Sequence, residues 1–259
     1  MAPTTRATSS STAPIEIPEI TTDTVEVAII GRTPLILNRI SEKARHEFTL
    51  PSGRKTAAEK ASTPKHDLLA EFRASPYMLI DPEAPTLLAI PAAAPKKAMM
   101  TAALEVPGAR KAQIGRLVTV LGEYLPVYGV PKMIVSIVRD ADMNRTPNVR
   151  ARVIIPRWTV IVPIRFLVGA LNPASIVRLL NAAGTVSGIG DWRAEKGAGD
   201  YGSFEIAMPG DPEVEAIIAE GGRAAQQAAM DEPQPYDPET SDILSWFTRE
   251  VARRGLSTS

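Results

Sequence analysis

Hydrophobic and polar positions first alternate at Val25, Val27 and Ile29, set against Glu26 and Ala28, the two-residue period of a strand buried on one face. Gly31 and Pro34 interrupt it before Leu35, Ile36 and Leu37, so the strand bends into a second short one. Upstream, residues 1–24 are rich in Thr, Ser, Ala and Pro and bury too little apolar surface to offset the entropy of ordering them. They are expected to form a disordered tail. Ser41, Glu42, Lys43, Ala44 and Arg45 can start a short helix. Pro51, Gly53 and Pro64 then break a basic stretch carrying Arg54, Lys55, Lys60 and Lys65, which predicts a mobile insertion at about 49–66.

Short strands are expected at 79–80 and 87–90, and residues 92–105 have helical composition, with Pro95 in the first turn. Residues 114–121 fit a helix or a strand. The β-branched run 130–138 reads as a second core strand, and 150–155 and 158–168 as further strands, with Pro156 and Pro163 indicating bulges or an edge position. Asn172, Pro173 and Ser175 mark the start of a helix through Ile176, Val177, Leu179 and Leu180, with Gly184 as its stop. A glycine-rich loop and a last strand at 201–207 complete a core domain spanning 25–208. Residues 209–240 read as an acidic linker or partial helix. The final segment, 241–259, is an amphipathic helix with Ile243, Leu244, Trp246, Phe247 and Val251 on roughly one face.

Composition narrows this picture. A chain of 259 residues can bury a sizeable core in one large domain or two small ones. Lys plus Arg and Asp plus Glu each number 29, so any charge argument is local. Residues 211–259 hold ten acids against four arginines, which leaves the basic excess in the body. The absence of cysteine excludes disulfides, thiolate nucleophiles and cysteine-bound metal, and fits a reducing compartment. No apolar run suits a signal peptide or a bilayer span, so a cytoplasmic protein is expected, in the host cytoplasm if phage-encoded.

The densest chemical signal is the run from Gly188 to Gly202, which holds Gly190, Trp192, Arg193, Lys196, Gly197, Gly199 and Tyr201. Such glycine density is tolerated where φ must be positive or where another backbone comes close. Rings beside cations are what a single nucleic-acid strand needs, while an ordinary glycine hairpin with its Trp packed on the core remains the alternative. Gly197, Gly199 and Gly202 spell GxGxxG, but a strand rather than a helix follows, which rejects a dinucleotide site. No P-loop or nucleophile elbow is present. His46 and His66 read as solvated. Asp140 and Asp142 could hold Mg²⁺, although a polar turn explains them as well.

A second signal is the series Arg139, Arg145, Arg150, Arg152, Arg157 and Arg165. Arg150 and Arg152 are two apart on a predicted strand and so face one way, as a row tracking phosphates would, with a solvated sheet face as the alternative. Lys96 and Lys97 stand near a helix start, where the dipole disfavours cations unless an anion is shared there.

Strand, helix, strand, strand, helix, glycine loop and strand follow one another in the βαββαβ ferredoxin-like order. That order, with Arg32-Thr33-Pro34-Leu35-Ile36 and the helix start from Ile90-Pro91 to Lys96-Lys97-Ala98, resembles the RAMP superfamily of CRISPR RNA-binding proteins, above all their backbone subunits. Ser41-Glu42-Lys43-Ala44, the string 141–147 and the string 190–197 also resemble a family of uncharacterised bacteriophage proteins. The RAMP resemblance implies an α+β, modified ferredoxin-like, RAMP/RRM-like core with insertions and a C-terminal helical extension. It further implies a strand-binding sheet, a glycine loop near the bound backbone, a protruding hairpin at 140–149, and protomers stacked along the strand. The chain departs from the nuclease members in having no histidine beside the glycine loop.

The expected function is therefore non-catalytic binding of RNA or single-stranded DNA, with assembly into a homo-oligomer or filament along it. The expected binding set is Arg32, Arg39, Lys43, Arg45, Lys96, Lys97, Arg139, Arg145, Arg150, Arg152, Gly190, Trp192, Arg193, Lys196, Gly199 and Tyr201. No cofactor, metal or membrane contact is expected, and Ile243, Trp246 and Phe247 are candidates for a protein contact. The alternatives are a phage structural protein without nucleic acid and a metal-dependent RNA endonuclease using Asp140 and Asp142.

Overall fold

The computed structural model describes residues 19–39, 66–139, 147–196 and 199–256. The chain begins with β1 (Thr22–Gly31), β2 (Leu35–Leu37), α1 (Leu68–Ala74), β3 (Tyr77–Met78) and β4 (Leu88–Pro91). It continues through α2 (Ala93–Ala102), α3 (Lys111–Leu117), β5 (Val118–Val120), β6 (Tyr124–Pro126), β7 (Lys132–Arg139), β8 (Pro147–Ile155) and β9 (Thr159–Leu167). Then come α4 (Pro173–Val186), β10 (Phe204–Ile206), α5 (Pro212–Glu220), α6 (Arg223–Asp231) and α7 (Pro238–Arg254).

The main sheet has the order β10-β1-β9-β5, with every pairing antiparallel. Alternation divides β1 between two layers. Val27 and Ile29 face a core shared with Val160, Val162, Ile164 and Phe166 of β9, Met99 and Ala102 of α2, and Ile176, Leu180 and Ala183 of α4. Ile30 belongs to a separate cluster with Ala207, Val214 and Ile217, so α5 covers part of the opposite face. The cap of α4 follows from its sequence: Asn172 accepts a 2.8 Å hydrogen bond from the Ser175 N–H, and Pro173 occupies the first turn.

Several expectations need correction. Residues 22–24, read as tail, already pair with β9. The strand expected at 130–138 is β7, which pairs with β8 in a second sheet of order β2-β8-β7; the edge of the main sheet beside β9 is instead Val118–Val120. Pro163 lies on a central strand, opposite Glu26. Its carbonyl accepts from Leu121 N–H, so its missing donor faces the side on which β5 has just ended. Gly184 lies inside α4, where an added Cβ would sit 1.9 Å from the Phe204 carbonyl oxygen, so it permits strand packing instead of ending the helix.

Residues 209–240, expected as a linker or partial helix, take the helical form. They contain α5 and α6, and Gln226 pins α6 to the body. Its Oε1 accepts from the N–H groups of Leu87 and Leu88 at 2.8 and 2.9 Å, and its Nε2 donates to the carbonyls of Val127, Gly129 and Gly221. The last helix begins at Pro238, with Asp237 accepting from Thr240 N–H. Ile243, Leu244 and Phe247 pack on the chain's own core, while Trp246 remains 59% exposed. Among the described residues no helix is long and apolar enough to cross a membrane.

Candidate nucleic-acid interface

α2 begins without a side-chain cap. Its N-cap is Ala92, whose own N–H donates to the Glu123 carbonyl, and Pro95 in the first turn has no N–H. The positive end of this helix, with Ala93, Ala94 and Lys97, opens on a cleft of about 280 Å³. Asn38, Tyr77 and the stretch Gly188–Ile189–Gly190 form other walls, joined by Asp191, Arg193 and Glu195. Lys97 is exposed and makes no ion pair among the described residues. Arg193 reaches the same space, where it donates to the Gly190 carbonyl at 2.9 Å and pairs with Glu195 at 2.7 Å. Glu195 in turn accepts from the Thr101 hydroxyl. Arg39 lies beside the cleft, with its guanidinium 5.9 Å from the Tyr77 ring centroid.

The glycine loop is shaped by its own backbone contacts. Gly202 has φ +69°, and an added Cβ would stand 1.7 Å from the Ile189 carbonyl oxygen. Its N–H donates to Pro34 O at 2.8 Å, Ile189 N–H donates to Gly202 O, and Asp191 N–H donates to Ile36 O. Gly199 lies against the Trp192 carbonyl. The loop thus crosses the end of β2 and returns alongside itself, which presents Gly190 and Arg193 to the cleft on a fixed backbone.

On the other side of Asp191 lies the outer face of the second sheet. Ile36, Ile134 and Ile154 form its apolar floor, with Trp192, Tyr201 and Tyr236 packed over it. The centroids of Trp192 and Tyr201 are 6.0 Å apart, and the Arg152 guanidinium lies 4.2 Å from the Trp192 ring centroid. Arg152 therefore corrects the expected row of exposed arginines. It is 2% exposed, donates to Asp191 Oδ2 at 2.5 Å and to Ser136 at 2.7 Å, and leaves Nε without a partner. Burial pushes its guanidinium down from the ordinary value, opposed by the Asp191 carboxylate. The face it shares with Arg150 is covered by aromatic rings, so Arg152 clamps the loop to the sheet. Burial pushes the Tyr201 phenol up, and neighbouring Tyr236 and Asp237 push it the same way.

The remaining expected residues are dispersed. Arg32 pairs with Glu205 at the β10 edge of the main sheet. Lys96 is half-buried beside Lys97, and Arg150 is half-buried on β8. Lys43, Arg45 and Arg145 lie outside the described residues, as do the side chains of Arg139 and Lys196. Asp140, Asp142, His46 and most of the 49–66 insertion lie there too. His66 is not simply solvated, since its Nδ1 is 2.7 Å from Glu71 Oε1. Among the described residues no group of three or more His, Asp or Glu could hold a metal ion. Tyr236 escaped the sequence reading because Pro235-Tyr236-Asp237-Pro238 marks a helix start, whereas edge pairing with β7 is what places its ring.

No family model matches the sequence, and no curated protein matches it either. The chain is similar to solved structures that include Type III-B Cmr-beta bound to cognate target RNA, solved by cryo-EM, at 16% identity and a TM-score of 0.38. That likeness covers 72% of this chain and 59% of the other. The crystal structure of Cmr6 from Pyrococcus furiosus is similar at 9% identity and a TM-score of 0.35, covering 72% of this chain and 98% of the other.

Proposed function

We propose that this protein binds a single strand of RNA or DNA without cleaving it, through a RAMP-like core of ferredoxin-like plan. Supporting that plan are the passage β1-α2-β5-β9-α4-β10 and the sheet order β10-β1-β9-β5, which place the last strand outside the first and the second outside the third. The β7–β8 hairpin is then an insertion between the second and third strands of the core. The observation that carries the binding role is the convergence of Lys97, Arg193 and the uncapped start of α2 on one cleft with a glycine backbone wall. Cations and oriented amides of this kind suit phosphodiester oxygens. Trp192 and Tyr201 stand next to that cleft and offer stacking surfaces for the bases.

Fluorescence anisotropy with labelled RNA and DNA 20-mers, single- and double-stranded, tests this reading. Engagement of about three phosphates predicts a slope of about −2 in log affinity against log salt for single strands. Lys97→Glu with Arg193→Glu is expected to lower affinity ~10-fold or more, because two attractive contacts become repulsive. Wild-type protein that binds no single strand at low salt would overturn the proposal. Comparing the RNA and DNA arms identifies the preferred strand. Light scattering with oligonucleotides of increasing length tests stacking of protomers along the strand, and self-assembly indifferent to oligonucleotide would favour a structural protein instead.

A further inference from the structure

Residues 234–236 run beside the outer edge of β7. Met133 N–H donates to the Gln234 carbonyl at 2.9 Å and Tyr236 N–H donates to the Met133 carbonyl at 2.8 Å, a short parallel bridge. Two backbone hydrogen bonds therefore fix where the Tyr236 side chain leaves the main chain. It joins Trp192 and Tyr201 over the same three isoleucines, and all three rings stay half-buried. Trp192 has φ +52°, the one positive φ outside glycine among the described residues. A bulky residue persists in that region only where its surroundings over-determine it. Here Gly199 closes against its carbonyl and Arg152 lies over its ring.

The cluster adjoins the cleft through Asp191, whose Oδ2 accepts from Asn38 and from Arg152. Flat faces beside a cleft lined by Lys97 and Arg193, with Asp191 and Glu195 also in its wall, would let a nucleotide lay its charged backbone on one side and its base on the other. Every base presents a π face, so such a surface accepts bases with little regard to sequence.

Building on the single-strand reading above, we propose that Trp192, Tyr201 and Tyr236 form a shelf for an unpaired base of the bound strand, while its phosphates occupy the Lys97–Arg193 cleft. Tyr236 is the new member of this site, supplied from outside the core by the segment that leads into α7.

The test compares a base-bearing single-stranded 20-mer with a 20-mer of the same backbone made entirely of abasic residues, by anisotropy at low salt. Tyr236→Leu is expected to weaken the base-bearing strand at least ~5-fold, as loss of one stacking contact implies, and to leave the abasic strand unchanged. Tyr236→Phe should bind both as the wild type does. Tyr201→Leu reads the same ratio if Tyr236→Leu fails to fold. Equal loss on both strands, or no loss on either, would overturn the shelf while leaving the single-strand reading in place. A wild type that binds neither strand would overturn both.

Discussion

Arg152 keeps a full charge on a side chain that is 3% exposed, and it does so because Asp191, Ser136 and the Trp192 ring share it. Removing one partner of such a pair costs more than the pair contributes, because the other charge is left without compensation. Asp191 is 30% exposed, which puts the cost at the lower end of the range for buried pairs. Arg152→Ala is expected to lower stability in urea unfolding by about 3 kcal/mol, with little dependence on salt. A loss below ~0.5 kcal/mol, within the range of ordinary surface substitutions, would contradict the clamp. The residue also marks what the sequence could and could not convey. The two-residue period correctly put Arg150 and Arg152 on one face, but a period says nothing of what covers that face. Trp192, Tyr201 and Arg193 stood out as candidates because rings and cations beside glycines are unusual, and Lys97 because a cation near a helix start is; Tyr236 did not, since its partner Met133 lies a hundred residues upstream in the chain.

Elements followed the local signals where those signals were self-contained. The Asn172 cap, the proline in the first turn of α2 and the Val25-Val27-Ile29 alternation each needed only neighbouring residues, and each element formed near its expected place. Segments whose state depends on distant partners were left open between alternatives. Residues 209–240 have the composition of a linker or partial helix, and four hydrogen bonds with Gln226 hold α6 against residues 87–88 and 127–129. Gln226→Leu would strand the buried N–H groups of Leu87 and Leu88, and orphaned buried donors cost about 1–3 kcal/mol each. The expected result is a loss of ~3 kcal/mol in chemical denaturation and faster amide exchange at Leu87 and Leu88. Unchanged exchange at those two amides would show that α6 is dispensable to the start of β4.

At the scale of the molecule, net charge is zero, and among the described residues the basic groups do not form one continuous trough. Arg32 stands at the β10 edge, Arg152 is buried, and the convergent part is the cleft between the start of α2 and the glycine loop. On the open part of the main sheet, where an RRM-like reading would seat bases, the strands themselves contribute Glu26, Ile161, Arg165 and Thr119 and no aromatic side chain, and Tyr128 packs beside α5 against Ala28 and Ile30. The proposed path of the strand therefore runs on the loop-and-cleft side and not over that sheet. Photo-crosslinking reads this directly: a 4-thiouridine-substituted single-stranded RNA is irradiated on the full-length protein, and the modified peptides are located by mass spectrometry. Adducts within 188–202, with others near Lys97 and Tyr236, are predicted. Adducts confined to the main-sheet strands around Glu26 and Arg165 would contradict it.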